Sequence, residues 1–155
     1  MSKQLRLLSA AGLALAGLCI TAALPNRAPR SAAISIVVYK DPDCGCCKSW
    51  VEHLRKHGFS VTVHDTSDVS GAKATGRVPQ QLQTCHTAFV NGYVVEGHVP
   101  AEDIQRMLAE KPKIAGIGVA GMPAGSPGME VGNRHDPYDV IAFNRDGSTR
   151  VFAHH

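Results

Sequence analysis

Residues 34–64 read ISIVVYKDPDCGCCKSWVEHLRKHGFSVTVH, and two changes of period within them decide the fold. Ile34 to Tyr39 is a short β-branched run, the mark of a buried strand. From Cys44 the spacing becomes helical: Cys47, Trp50, Val51 and Leu54 fall at i, i+3, i+4 and i+7, and His57-Gly58 supplies a stop. Asp41 or Asp43 is placed to cap its start. Phe59 to His64 then alternates as a second strand. Three cysteines in four positions sit where the first strand hands over to the helix.

Further along, Ser67 to Gln83 is polar and small, which predicts a short helix plus loop around Val78-Pro79. Thr87–Asn91 and Tyr93–Gly97 read as strands joined at Asn91-Gly92, a strong hairpin signal. Pro100 opens a helix with Ile104, Met107 and Leu108 facing inward. This order predicts an α/β fold, a thioredoxin-like sandwich with a β-α-β-β-β-α core. Ile114 to Val131 is rich in Gly, Pro and Met without a clear period. It is expected to build neither sheet nor helix, and to fold over the cysteine end as a soft lid. The last stretch, YDVIAFNRDGSTRVFAHH, predicts an added C-terminal β-hairpin around Asp146-Gly147, with His154-His155 a frayed end.

The amino terminus speaks to compartment. Lys3 and Arg6 precede an apolar stretch from Leu7 to Ile20, short of the roughly 20 residues a bilayer span needs. With small residues at Thr21 and Ala23, residues 1–23 read as a cleaved secretory signal, an uncleaved anchor being the alternative. Leu18 before Cys19 argues against a lipid-anchored cysteine. Residues 24–33 then form a linker, and residues 34–155 one domain, exported and free of the membrane after cleavage. The full chain carries 16 Lys and Arg against 13 Asp and Glu. Losing Lys3 and Arg6 leaves 14 against 13, and losing Arg27 and Arg30 as well leaves 12 against 13. The basic excess is therefore targeting charge, and no nucleic-acid surface is expected.

Four cysteines remain after cleavage: Cys44, Cys46, Cys47 and Cys85. A helix start favours thiolate. Cys44 and Cys47 share a helix face and can form a disulfide, so a thiol–disulfide oxidoreductase is a serious reading; a structural disulfide is the plainer one. Disulfide-exchanging members of the fold place a cis-proline before the third strand, facing the motif. Here that place reads QTCHTAFVNG, with Cys85-His86 instead. Without proline, a cis bond would cost about 2.5–4 kcal/mol, so a trans bond is expected. A fourth thiol and an imidazole at this place point to metal. Thiolates select Cu(I), with zinc in a structural site the competitor. Four thiolates around one Cu(I) would leave a charge of about −3, whereas several bridged Cu(I) ions approach neutrality.

The segments YKDPDCGCCKSWVEHLRKHGF, CHTAFVNGYVVEGHVPAEDI and AGIGVAGMPAGSPGME resemble the CopG-type periplasmic copper-resistance proteins over roughly residues 35–152. The resemblance implies a thioredoxin-like fold, periplasmic location and a cysteine-bridged multicopper site. It matches Cys44, Cys46 and Cys47 to the family's CxCC, and Cys85 and His86 to its downstream pair. Copper ions are the implied partner, with other periplasmic copper-handling proteins as candidates.

Other residues complete the candidate set. His98, just after the fourth strand, is a candidate ligand, a surface histidine being the alternative. His86 is another, although strand alternation can turn it away from Cys85. Met122 and Met129 offer soft thioethers, or only loop packing. His53 and His57, i and i+4 on the helix flank, read as a solvated face, and Trp50 as core.

Overall fold

The computed structural model describes residues 33–155; the expected signal peptide and all but the last residue of the linker lie outside them. Strand β1 (Ile34–Lys40) leads into helix α1 (Gly45–Lys56) and strand β2 (Phe59–Asp65). Helix α2 (Ser70–Gly76) and a single 3-10 turn (Gln80–Leu82) connect to β3 (His86–Val90) and β4 (Tyr93–Glu96). Helix α3 (Ala101–Glu110) follows, then β5 (Gly116–Val119), β6 (Asp139–Phe143) and β7 (Thr149–His154).

All seven strands form one mixed sheet in the order β2-β1-β3-β4-β5-β6-β7. β1 runs parallel to β2 and antiparallel to β3, and β3 antiparallel to β4. This half is compatible with the thioredoxin-like arrangement read from the sequence. The hairpin at Asn91-Gly92 has positive φ at both residues, 46° and 84°, as a type I′ turn requires.

Strand alternation sends side chains to two cores. Ile36, Val38, Ala88, Val90, Val95, Ile117 and Val119 pack with Trp50, Val51 and Leu54 of α1 and Ile104 and Met107 of α3. Val94 and Phe143 pack instead with Val78 and Leu82, beside the 3-10 turn. Burying a side chain the size of Leu54 contributes about 1.5–3 kcal/mol, so the α1 stripe fixes which way the cysteine turn faces.

Two sequence readings need correction. The Gly/Pro/Met segment does build sheet: Gly116–Val119 forms β5, parallel to β4 and antiparallel to β6, and so joins the C-terminal hairpin to the core. Its alternation is real but half of it is glycine. Ile117 and Val119 face the helices, while a Cβ on Gly116 would strike the Val94 carbonyl and the Phe143 ring. The chain end is not frayed either. His155 exchanges backbone hydrogen bonds with Tyr138, stacks on its ring and contacts Asp103 at 2.6 Å.

Candidate metal centre

The first turn of α1 brings the CxCC cysteines together. Cys44, rather than Asp41 or Asp43, is the N-cap, and its Sγ accepts the Cys47 N–H at 3.3 Å. Asp41 instead closes the preceding turn by accepting the Asp43 N–H at 2.8 Å. Cys44 and Cys47 are joined in a disulfide, while Cys46 and Cys85 are free thiols. Cys44 Sγ lies 3.5 Å from Cys46 Sγ, and the sulfurs of Cys44, Cys46, Cys47 and Cys85 all lie within 4.8 Å of one another. Two sulfurs bound to one tetrahedral ion at about 2.3 Å stand roughly 3.8 Å apart, so this spacing suits a shared metal.

The opposite wall carries Cys85 at the entry to β3. The peptide bonds of the described residues are all trans, as expected where His86 replaces proline. His86 is not turned away: its Nδ1 lies 3.4 Å from Cys85 Sγ, while its Nε2–H donates to the Gly97 carbonyl at 2.9 Å. His98 is not a surface residue but fully buried. Its Nδ1–H donates to the Pro127 carbonyl at 2.8 Å and its Nε2 faces Cys85 Sγ at 3.5 Å. Because a carbonyl only accepts, each ring keeps its proton on the far side and aims a lone pair at Cys85. A backbone carbonyl behind a histidine is also how metal-ligating imidazoles are commonly oriented.

Burial sets the protonation states. It holds His86 down to about 3, with neighbouring His98 adding to the effect. His98 is lowered by burial as well. Burial, then the adjacent Cys46, pushes the Cys85 thiol up to about 11. Two neutral imidazoles therefore face a thiol that stays protonated until a cation arrives to replace the proton.

Lys73 and Glu96, which the sequence reading missed, hold the wall from behind. Glu96 is fully buried and accepts from Lys73 Nζ at 2.6 Å, the Thr87 hydroxyl at 2.6 Å and the Thr84 N–H at 2.7 Å. Thr84 precedes Cys85, so the carboxylate anchors the loop that presents the thiol. The available signal was a lone acid in the apolar run YVVEGHVP.

The lid expectation holds for part of the loop after β5. Pro127 bonds His98, and Gly128, at φ +85°, lies so close to α1 that a Cβ would stand 2.7 Å from the Cys46 carbonyl. Met129, the next residue, is half-buried. Met122 is 56% exposed and lines a surface cavity with Pro123, Tyr138, Asp139 and Ile141, a lining that includes none of the four clustered cysteines and neither His86 nor His98. Trp50 is core as expected, and its Nε1–H donates to Val99 to tie α1 to the His98 loop.

Two solved structures described as copper resistance protein CopG, forms 1 and 2, each match with 46% identity and a TM-score of 0.75. Each alignment covers 79% of this chain and 98% of theirs. The chain belongs to the CopG family. A family model described as a protein of unknown function, DUF411, matches residues 82–129. In this chain, that span holds the wall and the lid, from Cys85 through His98 to Gly128, and leaves out the CxCC turn. No curated protein matches the sequence. Among the described residues, no helix is long and apolar enough to cross a membrane.

Proposed function

We propose that this chain is a periplasmic copper-handling protein that holds several Cu(I) ions as cargo in a cysteine-bridged cluster and serves copper resistance. One observation supports this above the rest: four sulfurs within 4.8 Å of one another meet two imidazole lone pairs whose tautomers are set by backbone carbonyls. Thiolate and imidazole donors both suit copper, and the CopG relatives are described as copper resistance proteins. The ligands proposed are Cys44, Cys46, Cys47, Cys85, His86 and His98, with Met129 and Met122 as soft outer candidates. Reducing the Cys44–Cys47 disulfide, with two electrons and two protons from a thiol donor, supplies the two sulfurs that the oxidised form withholds. Export by the N-terminal signal would place the protein where copper stress is met.

The Cys44–Cys47 disulfide favours a second reading, a thiol–disulfide oxidoreductase. One experiment separates them. Reduced protein titrated anaerobically with Cu(I) against a competing chelator is expected to take up more than one ion per chain, and Cys46→Ser to take up fewer. Cys46 is dispensable to exchange through Cys44 and Cys47. Robust insulin-reductase turnover, kept by Cys46→Ser and accompanied by no more than one bound copper, would reverse the ranking.

A further inference from the structure

On the flank of α1, His53 and His57 stand one turn apart and meet Glu102 from the first turn of α3. One ligand atom from each of the three lies within 4.8 Å of the others. The flank is open to solvent, as the sequence suggested, but its side chains also engage one another and the start of α3. His53 Nε2 accepts the Ala101 N–H at 3.0 Å, so its lone pair points at the start of α3. The His57 Nδ1–H is committed to the His53 carbonyl at 2.7 Å. That leaves His57 Nε2 to face Glu102 Oε1 at 3.0 Å.

In a neutral His57 ring, this last contact sets two lone pairs against each other. Something positive must sit there, either a proton or a metal ion. Ligand atoms bound to one ion at about 2.0–2.2 Å stand roughly 2.9–3.5 Å apart, so the 3.0 Å His57–Glu102 edge already has the spacing of a shared ion, and His53, within 4.8 Å of both, closes onto it by a small side-chain turn. The side chains of His57 and Glu102 are 37% and 64% exposed, which leaves a path for entry and room for water at open positions.

We propose that His53, His57 and Glu102 form a second metal site, for a borderline divalent ion of the zinc or copper(II) kind. Two imidazole nitrogens and a carboxylate oxygen suit such ions, whereas Cu(I) prefers the sulfur cluster. The ion takes the His53 lone pair from the Ala101 N–H and displaces any proton on His57 Nε2. The site does not depend on how the cysteines are used.

Zinc is the probe because it is redox-silent, and the readout is site-resolved nitrogen NMR of the full mature protein. Titration should shift the His53 and His57 imidazole nitrogens and the Ala101 amide together and saturably, apart from any change at the cysteines. Both His57→Gln and Glu102→Gln alter exposed groups. The first should weaken these shifts at least tenfold and the second severalfold, while His154→Gln should leave them unchanged. Imidazoles that stay unshifted at millimolar zinc, or a His57→Gln variant that binds as tightly as wild type, would overturn the proposal and leave a proton between His57 and Glu102.

Discussion

The turn that carries Cys44, Cys46 and Cys47 and the wall that carries Cys85, His86 and His98 meet at one centre, yet they are built in opposite ways. The turn is a helix start at which Cys44 and Cys46 stay partly open to solvent while Cys47 is buried, and one disulfide decides how many sulfurs it offers. The wall is buried behind a half-exposed Cys85: both imidazoles are sealed from water, each ring has its proton committed to a carbonyl, and a buried ion pair braces it from behind. A centre that must gain and lose donors can do so only on the first side. Fixed geometry has to come from the second.

The hardest way to break that contrast is to remove the brace. Glu96→Ala would leave the Lys73 ammonium buried without a carboxylate and the Thr84 N–H and Thr87 hydroxyl without their acceptor. Breaking such a buried pair costs about 3–5 kcal/mol, read as a lower midpoint in urea. Replacing both partners, Lys73→Met with Glu96→Leu, should recover part of the loss, because no lone charge remains. A Glu96→Ala loss below about 1 kcal/mol would mean the wall does not depend on this pair.

Acid attacks the same wall. An unfolded histidine titrates near 6.5, whereas His86 in the fold is held down to about 3. Between those values the unfolded chain binds a proton that the folded chain refuses. Stability of the metal-free protein should therefore be independent of His86 above about pH 6.5 and fall as pH drops towards about 3. Across the whole window the loss is on the order of 4 kcal/mol. His86→Leu should remove this part of the slope, most cleanly between about pH 6.5 and 5, before carboxylates titrate. Equal slopes in the two proteins would show that the ring is less sealed than its burial implies.

The turn was more legible in the sequence than the wall, for a physical reason. Helical spacing from Cys47 to Leu54 and the β-branched run before it are local signals, and both elements are present as read. The missing proline at His86 was also local, and it located the wall. What the wall does with its histidines was not local. The carbonyls that orient His86 and His98 belong to Gly97 and Pro127, and the latter lies 29 residues from the ring it holds. Lys73 and Glu96 meet across 23 residues. β5 was missed because glycine occupies one face of it, where the neighbouring Val94 backbone leaves no room for a side chain. Glu102 was missed at the α1 flank because it comes from another helix.

The lid joins the two halves, so loosening it sharpens the comparison more gently. Gly128→Ala would place a methyl group against the Cys46 carbonyl and Trp50 N, in a backbone conformation with φ +85°. Strain of this kind costs about 1–3 kcal/mol, which the loop can avoid by lifting away from α1. The fold should survive, while the Cys46 thiol, beside the displaced glycine, reacts faster with an alkylating reagent and the Cys85 thiol, on the opposite wall, changes less. Equal acceleration at both thiols would mean that the lid shields turn and wall alike.

The smallest effect belongs to the methionines, and it should divide them. Met129 follows the glycine packed on α1 and is half-buried, which puts its backbone beside the turn. Met122 sits 56% exposed over β6, among Tyr138, Asp139 and Ile141. Loss of a group that supports a metal ligand costs about 10–100-fold in metal affinity. Met129→Ala is expected at or below the low end of that range, read as faster loss of Cu(I) to a competing chelator. Met122→Ala should leave retention unchanged, and the double variant should match Met129→Ala alone. If Met122→Ala weakens retention as much as Met129→Ala, the outer part of the loop closes onto the cluster when copper is bound. If neither variant changes retention or the rate of oxidation, the segment is packing only and both thioethers leave the ligand set.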